Sequence, residues 1–306
     1  MVRTRGIPRE PQPPVAAADN APIALGITRQ RHGEYVLAVR VQSRSERARH
    51  RIEDIRRQAC AEVDVRFVGR IVRRSGPWFR RANRPLLIGG SLGHSAAEAG
   101  TLGCFVRDRA TQEVLVLSNN HVLARENLGS PGDAILQPAR ADGGRESRHT
   151  VGRLERFISL ASDGVNHVDA ALASLQDVES DHCTLTEHGR LAGLGEPFLD
   201  EGTEVAKIGR TTGISRGRVT AFEVDNVGVW FDQGYLRFDR QVEIEGVGSE
   251  PFSRAGDSGS LIVDAGCLAV GLLFAGTDFG GASGEGLTYA NPLALTLDTL
   301  AVDLLS

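Results

Sequence analysis

The sequence predicts a mainly β protein, a sandwich or a barrel, preceded by a small α+β module. Short β-rich segments separated by glycine-containing turns follow one another from about residue 100, and this pattern is typical of sandwiches and barrels. Only at the C terminus does an apolar stripe indicate a helix, from about residue 292, where Asn291 and Pro292 form an N-cap and first-position pair. The content of 36 glycines and 41% hydrophobic residues in 306 is that of a globular chain.

The first 75 residues form a pattern of their own. Residues 1–20 are rich in Arg and Pro, and we expect a disordered tail there. Two β-rich runs, 23–28 and 35–41, are spaced for a hairpin. Apolar residues at helical spacing over 45–59, with Ser43 or Ser45 as cap, predict a helix, and 63–72 predict a third strand. Residues 21–75 are therefore predicted to be a ββαβ accessory or regulatory module, and 76–100 a connector.

Charge is divided unevenly between the two parts of the chain. The net charge is −4, but residues 1–84 carry 19 Arg against 8 acidic residues, a net +11, and the remainder carries −15. This asymmetry predicts that the basic module docks on the acidic body. A nucleic acid is the competing partner, but aromatics are sparse in the module and give no base-stacking platform, so nucleic-acid binding is not expected.

Composition also bounds location and cofactors. No apolar stretch is long enough to cross a bilayer, and the first twenty residues lack the apolar run of a secretory signal. These observations predict a cytoplasmic protein without a membrane partner. The four cysteines, Cys60, Cys104, Cys183 and Cys267, lie far apart and are expected to be reduced. No metal and no organic cofactor are predicted, and the composition is compatible with a homo-oligomer.

Three segments carry residues suited to nucleophilic catalysis. Gly256-Asp257-Ser258-Gly259 places a hydroxyl in a glycine turn, where the backbone permits close approach of a substrate. His121 follows a predicted strand, and Asp169 begins an apolar strand, where burial of an acid requires a partner such as an imidazole N–H. Residues of these types in one chain predict a nucleophile, a general base and an orienting acid.

Other residues could fill two of these roles. His167 lies two residues from Asp169 and could share its face of a strand, but His121 is preferred because it adjoins a strand end. Asp163 and Asp177 are nearby alternatives to Asp169. The other histidines considered stand among polar residues and are expected to be surface or loop groups: His94, His149, His182 and His188.

These segments, in the order His, Asp, Ser, resemble the trypsin-like serine peptidases of the chymotrypsin fold. The resemblance covers roughly residues 86–300 and is to the intracellular-type branch that includes bacterial peptidases and the plant narrow-leaf protein. The segments that carry it are 100–104, 118–123, 132–138, 207–213 and 271–276. It implies two antiparallel six-stranded β-barrels, at 101–178 and 179–306, the second ending in the C-terminal helix.

The resemblance also implies residue roles. Ser258 would attack the peptide carbonyl, His121 would move the proton and Asp169 would orient the imidazole. The N–H groups of Gly256 and Ser258 would form the oxyanion hole. In the digestive relatives, a freed N terminus that begins Ile-Val-Gly-Gly forms a salt bridge with the aspartate at the position of Asp257. That sequence is missing here, so Asp257 is expected to have an internal partner, and Arg254 is the hypothesis.

Substrate contacts follow from the same resemblance. Phe252 would be the pocket floor, and Phe274, Ala275 and Gly276 would form its wall and pair with an extended protein or peptide substrate. No carboxylate occupies the floor position, so cleavage after small or apolar residues is expected rather than after Lys or Arg.

The resulting interpretation is a serine endopeptidase, a hydrolase that works through an acyl-enzyme. One alternative is a catalytically silent protease-fold scaffold that binds a protein partner. Another is an autoinhibited zymogen whose first 84 residues cover the cleft. A nucleic-acid-binding role for the Arg-rich module is the third.

Overall fold

The computed structural model describes residues 23–29, 34–42, 45–60, 62–68 and 77–306. The chain divides between Ser75 and Gly76 into two compact units. The predicted tail at 1–20, the turn of the first hairpin and the continuation of the third strand beyond residue 68 lie outside the described residues.

The N-terminal unit has the ββαβ order that the sequence predicts. Its elements are β1 (Ile23–Arg29), β2 (Tyr35–Val41), α1 (Glu46–Gln58) and β3 (Val63–Phe67). β1 is antiparallel to β2, and β2 is parallel to β3, as a helical crossover requires. The hydroxyl of Ser45 accepts the N–H of Ala48 at 3.3 Å and caps α1. Val39 and Val41 pack beneath the helix at Ala48 and form the core of this unit.

The larger unit consists mainly of short strands. They are β4 (Leu86–Leu87), β5 (Ser91–His94), β6 (Gly100–Thr101), β7 (Cys104–Asp108), β8 (Val114–Ser118), β9 (Ala134–Leu136), β10 (Thr150–Phe157), β11 (Val165–Asn166), β12 (Ala171–Leu175), β13 (Ser180–Asp181), β14 (Thr184–Leu185), β15 (Gly189–Arg190), β16 (Gly193–Leu194), β17 (Glu204–Gly209), β18 (Gly213–Val224), β19 (Val227–Phe231), β20 (Gly234–Phe238), β21 (Gln241–Gly246), β22 (Leu261–Asp264), β23 (Leu268–Gly276), β24 (Leu287–Pro292) and β25 (Val302–Leu304). Its helices are α2 (Asn120–Leu123), α3 (Glu146–His149) and α4 (Leu293–Leu300), with 3₁₀ turns at Trp78–Arg80 and Arg140–Asp142.

The first of its two large sheets is a half-barrel. Its eight strands run β25-β7-β8-β12-β10-β9-β5-β6, so the first barrel predicted from the resemblance is an open sheet by its strand pairing. β6 and β7 belong to one bent segment, however. At the bend, the Leu102 N–H donates to Gly90 O at 2.8 Å and the Gly103 N–H donates to Leu117 O at 3.0 Å. The bend therefore connects β6, at one end of the sheet, to β7, the strand next to the other end.

The second sheet closes into the six-stranded barrel that the resemblance implies. The barrel order is β23-β22-β17-β18-β21-β24, closed by pairing of β24 with β23, and β16 pairs with β23 outside this ring. Side chains that alternate inward from these strands fill the interior. Val219, Ile244, Phe252 and Ile262 are among the buried residues of this core. The mainly β architecture with a C-terminal helix is confirmed.

The C-terminal helix differs from the prediction at both ends. Pro292 is the N-cap residue of α4 and makes no side-chain cap bond. Asn291, predicted as the cap, uses its side chain elsewhere. Ala301 adopts a left-handed conformation with φ 54° and ends the helix. Val302 and Leu304, which belong to the same apolar stripe in sequence, lie instead in β25, which pairs with β7.

Candidate active site

Two adjacent strand ends bring His121 and Asp169 together. β8 and β12 are antiparallel neighbours, with Ser118 opposite Ala171. α2 carries His121 just beyond the end of β8, and Asp169 precedes the start of β12. His121 Nδ1 lies 2.5 Å from Asp169 Oδ2, and the His121 N–H donates to Asp169 Oδ1 at 3.3 Å. Of the acids considered in the sequence, Asp169 is the one that the structure brings to His121.

Asp169 is fully buried, and an amide that the sequence analysis missed holds its backbone. Asn291 Oδ1 accepts the Asp169 N–H at 2.9 Å, and Asn291 Nδ2 donates to Gln241 Oε1 at 2.7 Å. Asn119 Nδ2 donates to the Asp169 carbonyl at 2.7 Å. These bonds fix the carboxylate in a site where an unpartnered charge would be costly. The sequence gives no local signal for this role of Asn291, because its partner Asp169 lies 122 residues earlier in the chain.

The carboxylate makes His121 a stronger base than an ordinary imidazole. Burial lowers the pKa of His121, but the charge of Asp169 and its hydrogen bond raise it more, and Glu126 adds to the effect. The net pKa of His121 lies above its usual value. His167, the alternative base, contributes its carbonyl, which accepts from Gln241 Nε2 at 2.9 Å.

Ser258 lies in a glycine turn that faces the same cavity as His121. The cavity has a volume of about 340 Å³, and both residues line it. Gly256 and Gly259 have φ of +93° and +89°, values that favour glycine. Among the side-chain hydrogen bonds of the described residues, none joins Ser258 to His121, so the structure places the two groups in one cavity without a direct bond.

The backbone amides of this turn divide into two sets. The Asp257 N–H donates to Arg254 O and the Gly259 N–H donates to Leu273 O. Within the part of the chain that the structure describes, the N–H groups of Gly256 and Ser258 have no protein acceptor. Two amides left free on a turn that carries a hydroxyl are available to an anionic oxygen.

Asp257 has an internal partner, but it is Lys207 rather than the Arg254 side chain. Lys207 Nζ lies 3.2 Å from Asp257 Oδ2, and both side chains are fully buried. Arg254 supplies only its backbone N–H to the carboxylate, at 3.0 Å, while its guanidinium lies 3.9 Å from Glu285. The Arg254 hypothesis is therefore wrong as to the charge. Burial lowers the pKa of Lys207, and Asp257 partly offsets that effect.

A tight turn between β17 and β18 completes the support of Asp257. The N–H groups of Thr211 and Thr212 donate to Asp257 Oδ1 at 2.7 and 3.1 Å. Arg210, the first residue of that turn, donates from Nε and Nη2 to the carboxylate of Asp142 at 2.7 and 2.8 Å. Because Asp142 belongs to the first half of the unit, this bidentate pair connects that half to the turn that supports Asp257.

A residue of the first sheet also contacts this turn directly. Thr101 Oγ1 donates to Gly256 O at 3.0 Å, and the Thr101 N–H donates to Ser258 O at 2.8 Å. The carbonyl oxygens on this side of the turn are therefore engaged by the protein, and the free N–H groups are left to the cavity.

The structure places three of the four predicted pocket residues at the cavity and the fourth away from it. Phe274, Ala275 and Gly276 line the cavity. Phe252, predicted as the floor, is 1% exposed and belongs to the core of the second barrel. The cavity is lined instead by the residues that follow it, Ser253, Arg254 and Ala255.

The hairpin β19–β20 also lines the cavity, and the sequence analysis missed it. Its signal was present, because Val227–Phe231 and Gly234–Phe238 are β-rich runs separated by a two-residue turn.

The environment of His94 also differs from the prediction of a surface or loop group. The side chain is buried, and its Nε2 lies 3.0 Å from Asp133 Oδ2.

Three further features bear on the classes of ligand and partner. The described residues contain no cluster of His, Cys, Asp and Glu that could hold a metal ion. None of the helices in the described segments is long and apolar enough to cross a membrane. All four cysteines are free thiols, and burial raises the pKa of Cys104 to about 12.

Comparison with known proteins gives structural matches only. No family model and no curated protein matches the chain. A solved glutamic-acid-specific serine protease that uses a histidine triad in substrate binding aligns with 72% of this chain and all of its own at 20% identity and a TM-score of 0.51. Thermobifida fusca Protease A aligns with 72% of this chain and all of its own at 17% identity and a TM-score of 0.49. The Nocardiopsis protease aligns with 72% of this chain and 98% of its own at 20% identity and a TM-score of 0.48. The fold is that of the chymotrypsin-like serine proteases.

Proposed function

We propose that the protein is a serine endopeptidase in which Ser258 is the nucleophile, His121 the general base and Asp169 the orienting acid. The observation that carries this proposal is the 2.5 Å contact between His121 and Asp169 in a cavity that Ser258 also lines. The imidazole takes the serine proton as the hydroxyl attacks the carbonyl, and returns it to the leaving amine. In the second half of the reaction, His121 takes a proton from water as the water attacks the acyl-enzyme, and returns it to Ser258 as the acyl group leaves.

The free amides of Gly256 and Ser258 would stabilise the oxyanion of each tetrahedral intermediate. Each such donor contributes about 3 kcal/mol to lowering the barrier. An extended peptide would pair with the edge at Phe274 and Gly276. The Thr277 N–H points to Leu287 O on the neighbouring strand, so by alternation these two residues direct their main-chain groups to the cavity.

Several finer assignments belong to the same proposal. Membership of the intracellular bacterial and narrow-leaf-like branch is supported by the ββαβ unit before the protease body. A cytoplasmic location is supported by the free thiols. The charges of +11 and −15 support docking of the basic module on the protease body. The chain also remains compatible with a homo-oligomer.

Labelling with a fluorophosphonate probe tests the reaction. We expect the native chain to label at Ser258, and Ser258→Ala and His121→Ala to remain unlabelled. Labelling that persists in Ser258→Ala would disprove the assignment of the nucleophile. A native chain that stays unlabelled would contradict the enzyme and favour the alternative, a silent or autoinhibited scaffold that binds a protein partner.

A further inference from the structure

The hairpin β19–β20 forms one wall of the candidate active site. It is inserted between barrel strands β18 and β21, and Val229, Trp230 and Phe231 line the same cavity as His121 and Ser258. Burial alternates along the hairpin as its two faces require. On the inner face Val229 and Phe231 are half-buried, whereas Trp230 on the outer face is 80% exposed.

The wall is fixed at its base. β20 pairs with β11 of the first half of the unit, with Asn166 opposite Phe238. Asn166 Nδ2 donates to Arg237 O at 3.2 Å, and its carbonyl accepts the Asp239 N–H at 3.0 Å. The hairpin therefore spans the two halves of the protease unit through the short strand that precedes Asp169.

The tip of the hairpin is fixed as well. The Gln233 N–H donates to Glu126 Oε2 at 3.2 Å, and Gln233 Nε2 donates to Glu126 O at 3.4 Å. Glu126 belongs to the loop that follows His121, so this contact holds the hairpin over the base. Because both ends are held, the wall exists before a substrate binds, and little ordering is required on binding.

The inner face packs on a cluster of aromatic rings beside the base. The Phe231 ring lies 6.0 Å from the His121 ring in an edge arrangement and 6.0 Å from the Phe238 ring. Phe238 in turn lies 4.7 Å from Phe274. Since Phe274 adjoins the edge proposed to pair with the substrate, these ring contacts connect the wall beside His121 to that edge.

The direction of a bound strand decides which substrate residue meets this surface. Side chains of an extended peptide alternate between opposite faces. Under the proposed function, the side chain of the residue whose carbonyl is attacked would enter beside Ser253, Arg254 and Ala255, which line the cavity. The side chain of the residue before it would then face the part of the lining that Val229 and Phe231 form.

We propose, on the basis of the function proposed above, that Val229 and Phe231 form a subsite for a large apolar side chain on the substrate residue that precedes the attacked residue. Leucine and phenylalanine are the class of side chain that fits. Such a side chain buries its own surface and covers the half-exposed apolar inner face of the hairpin.

Peptides that differ only at this position test the subsite. They carry Leu, Ala or Arg before the attacked residue, which is itself randomised. For the native chain we expect kcat/KM to be at least about tenfold higher with Leu than with Ala, since a methylene or two in an apolar pocket is worth that much. Phe231→Ala should remove most of this ratio. Val229→Asp should invert the order of Leu and Arg, because it places a carboxylate in the wall.

Tyr235→Ala is the matched control. Tyr235 lies on the outer face of the same hairpin, opposite Trp230 in register, and does not line the cavity. This variant should keep the native ratio. A native chain without preference for Leu, or a Val229→Asp variant that keeps the native order, would overturn the subsite. If Phe231→Ala changes the position of His121 and lowers activity with all three peptides, the result for Val229→Asp decides whether the subsite exists. If the native chain labels with the fluorophosphonate but shows no preference among the peptides, the subsite is refuted and the proposed function stands. If the native chain does not label, the proposed function itself is refuted.

Discussion

Lys207 and Asp257 form a fully buried ion pair, with Nζ and Oδ2 3.2 Å apart, directly behind the nucleophile turn. Lys207 is the only lysine of the chain. Its ammonium also donates to Thr212 Oγ1, which donates to Asp257 Oδ2 at 2.8 Å. A positive charge built into β17 thus holds the aspartate next to Ser258, and no freed N terminus is required for that contact.

Removing this charge should destabilise the fold and slow the nucleophile. In Lys207→Met the buried Asp257 carboxylate loses the one cation that pairs with it among the described residues, and breaking such a pair costs about 3–5 kcal/mol. We expect the free energy of unfolding in urea to fall by that amount and labelling at Ser258 to slow. The double variant Lys207→Met/Asp257→Asn should recover part of the stability. Unchanged unfolding and labelling in Lys207→Met would contradict the role.

The sequence predicted the parts of the site that depend on local pattern. His121 and Asp169 each adjoin a strand, and antiparallel pairing of those strands brings them together. The glycine turn around Ser258 is also a local signal. The same is true of the ββαβ unit, whereas the closed second barrel was expected only from the family resemblance.

The features that the sequence did not predict depend on contacts between distant residues. Lys207 lies in a strand where a lysine ordinarily faces solvent, and its partner is 50 residues away. Asn291 stands before a proline, where a helix cap is the local expectation, but its amide is used by Asp169. Phe252 was placed by counting back from Ser258. Its carbonyl accepts Ser215 Oγ at 2.6 Å and its ring enters the barrel core, which removes it from the cavity.

Asn291 should matter for the orientation of Asp169 as well as for stability. Asn291→Ala leaves the buried Asp169 N–H and Gln241 Oε1 without their partners, and each such loss costs about 1–3 kcal/mol. We expect a lower free energy of unfolding in urea and a slower rate of labelling at Ser258. Thr299→Ala, which removes an exposed hydroxyl of α4, is the control and should change neither. A labelling rate equal to that of the native chain would show that Asp169 is positioned without this amide.

The pH dependence of labelling should report the pKa of His121. The imidazole accepts the serine proton only when it is neutral, so labelling falls as the pH drops through its pKa. Because Asp169 raises that pKa, the midpoint should lie above about 6.5, the ordinary value. Asp169→Asn removes the attraction between the carboxylate and the protonated imidazole, so the midpoint should move to lower pH. The labelling rate at high pH should also fall, by about 10⁴-fold, as it does for this substitution in a Ser-His-Asp triad. A midpoint that does not move in Asp169→Asn would contradict the electrostatic coupling.

The position at which the chain is shortened should decide whether the protease unit keeps its nucleophile turn. Arg80 lies just after the boundary between the units and donates from Nε to Arg210 O at 3.0 Å and from Nη2 to Thr211 O at 3.4 Å. A chain of residues 76–306 keeps these bonds, and a chain of residues 85–306 loses them. We expect the shorter chain to be less stable in urea by about 1.5–3 kcal/mol, the contribution of hydrogen bonds to a charged group, and to label more slowly.

Arg80→Ala in the full chain separates this effect from autoinhibition. It should reproduce the loss seen in 85–306, whereas Arg148→Ala, on the exposed face of α3, should not. If residues 1–75 cover the cleft, the 76–306 chain labels faster than the full chain, and equal rates exclude that masking. Equal stability and labelling of the two shortened chains would show that Arg80 does not support the turn. Because the two comparisons change different contacts, a gain from unmasking and a loss from a loosened turn cannot be mistaken for one another.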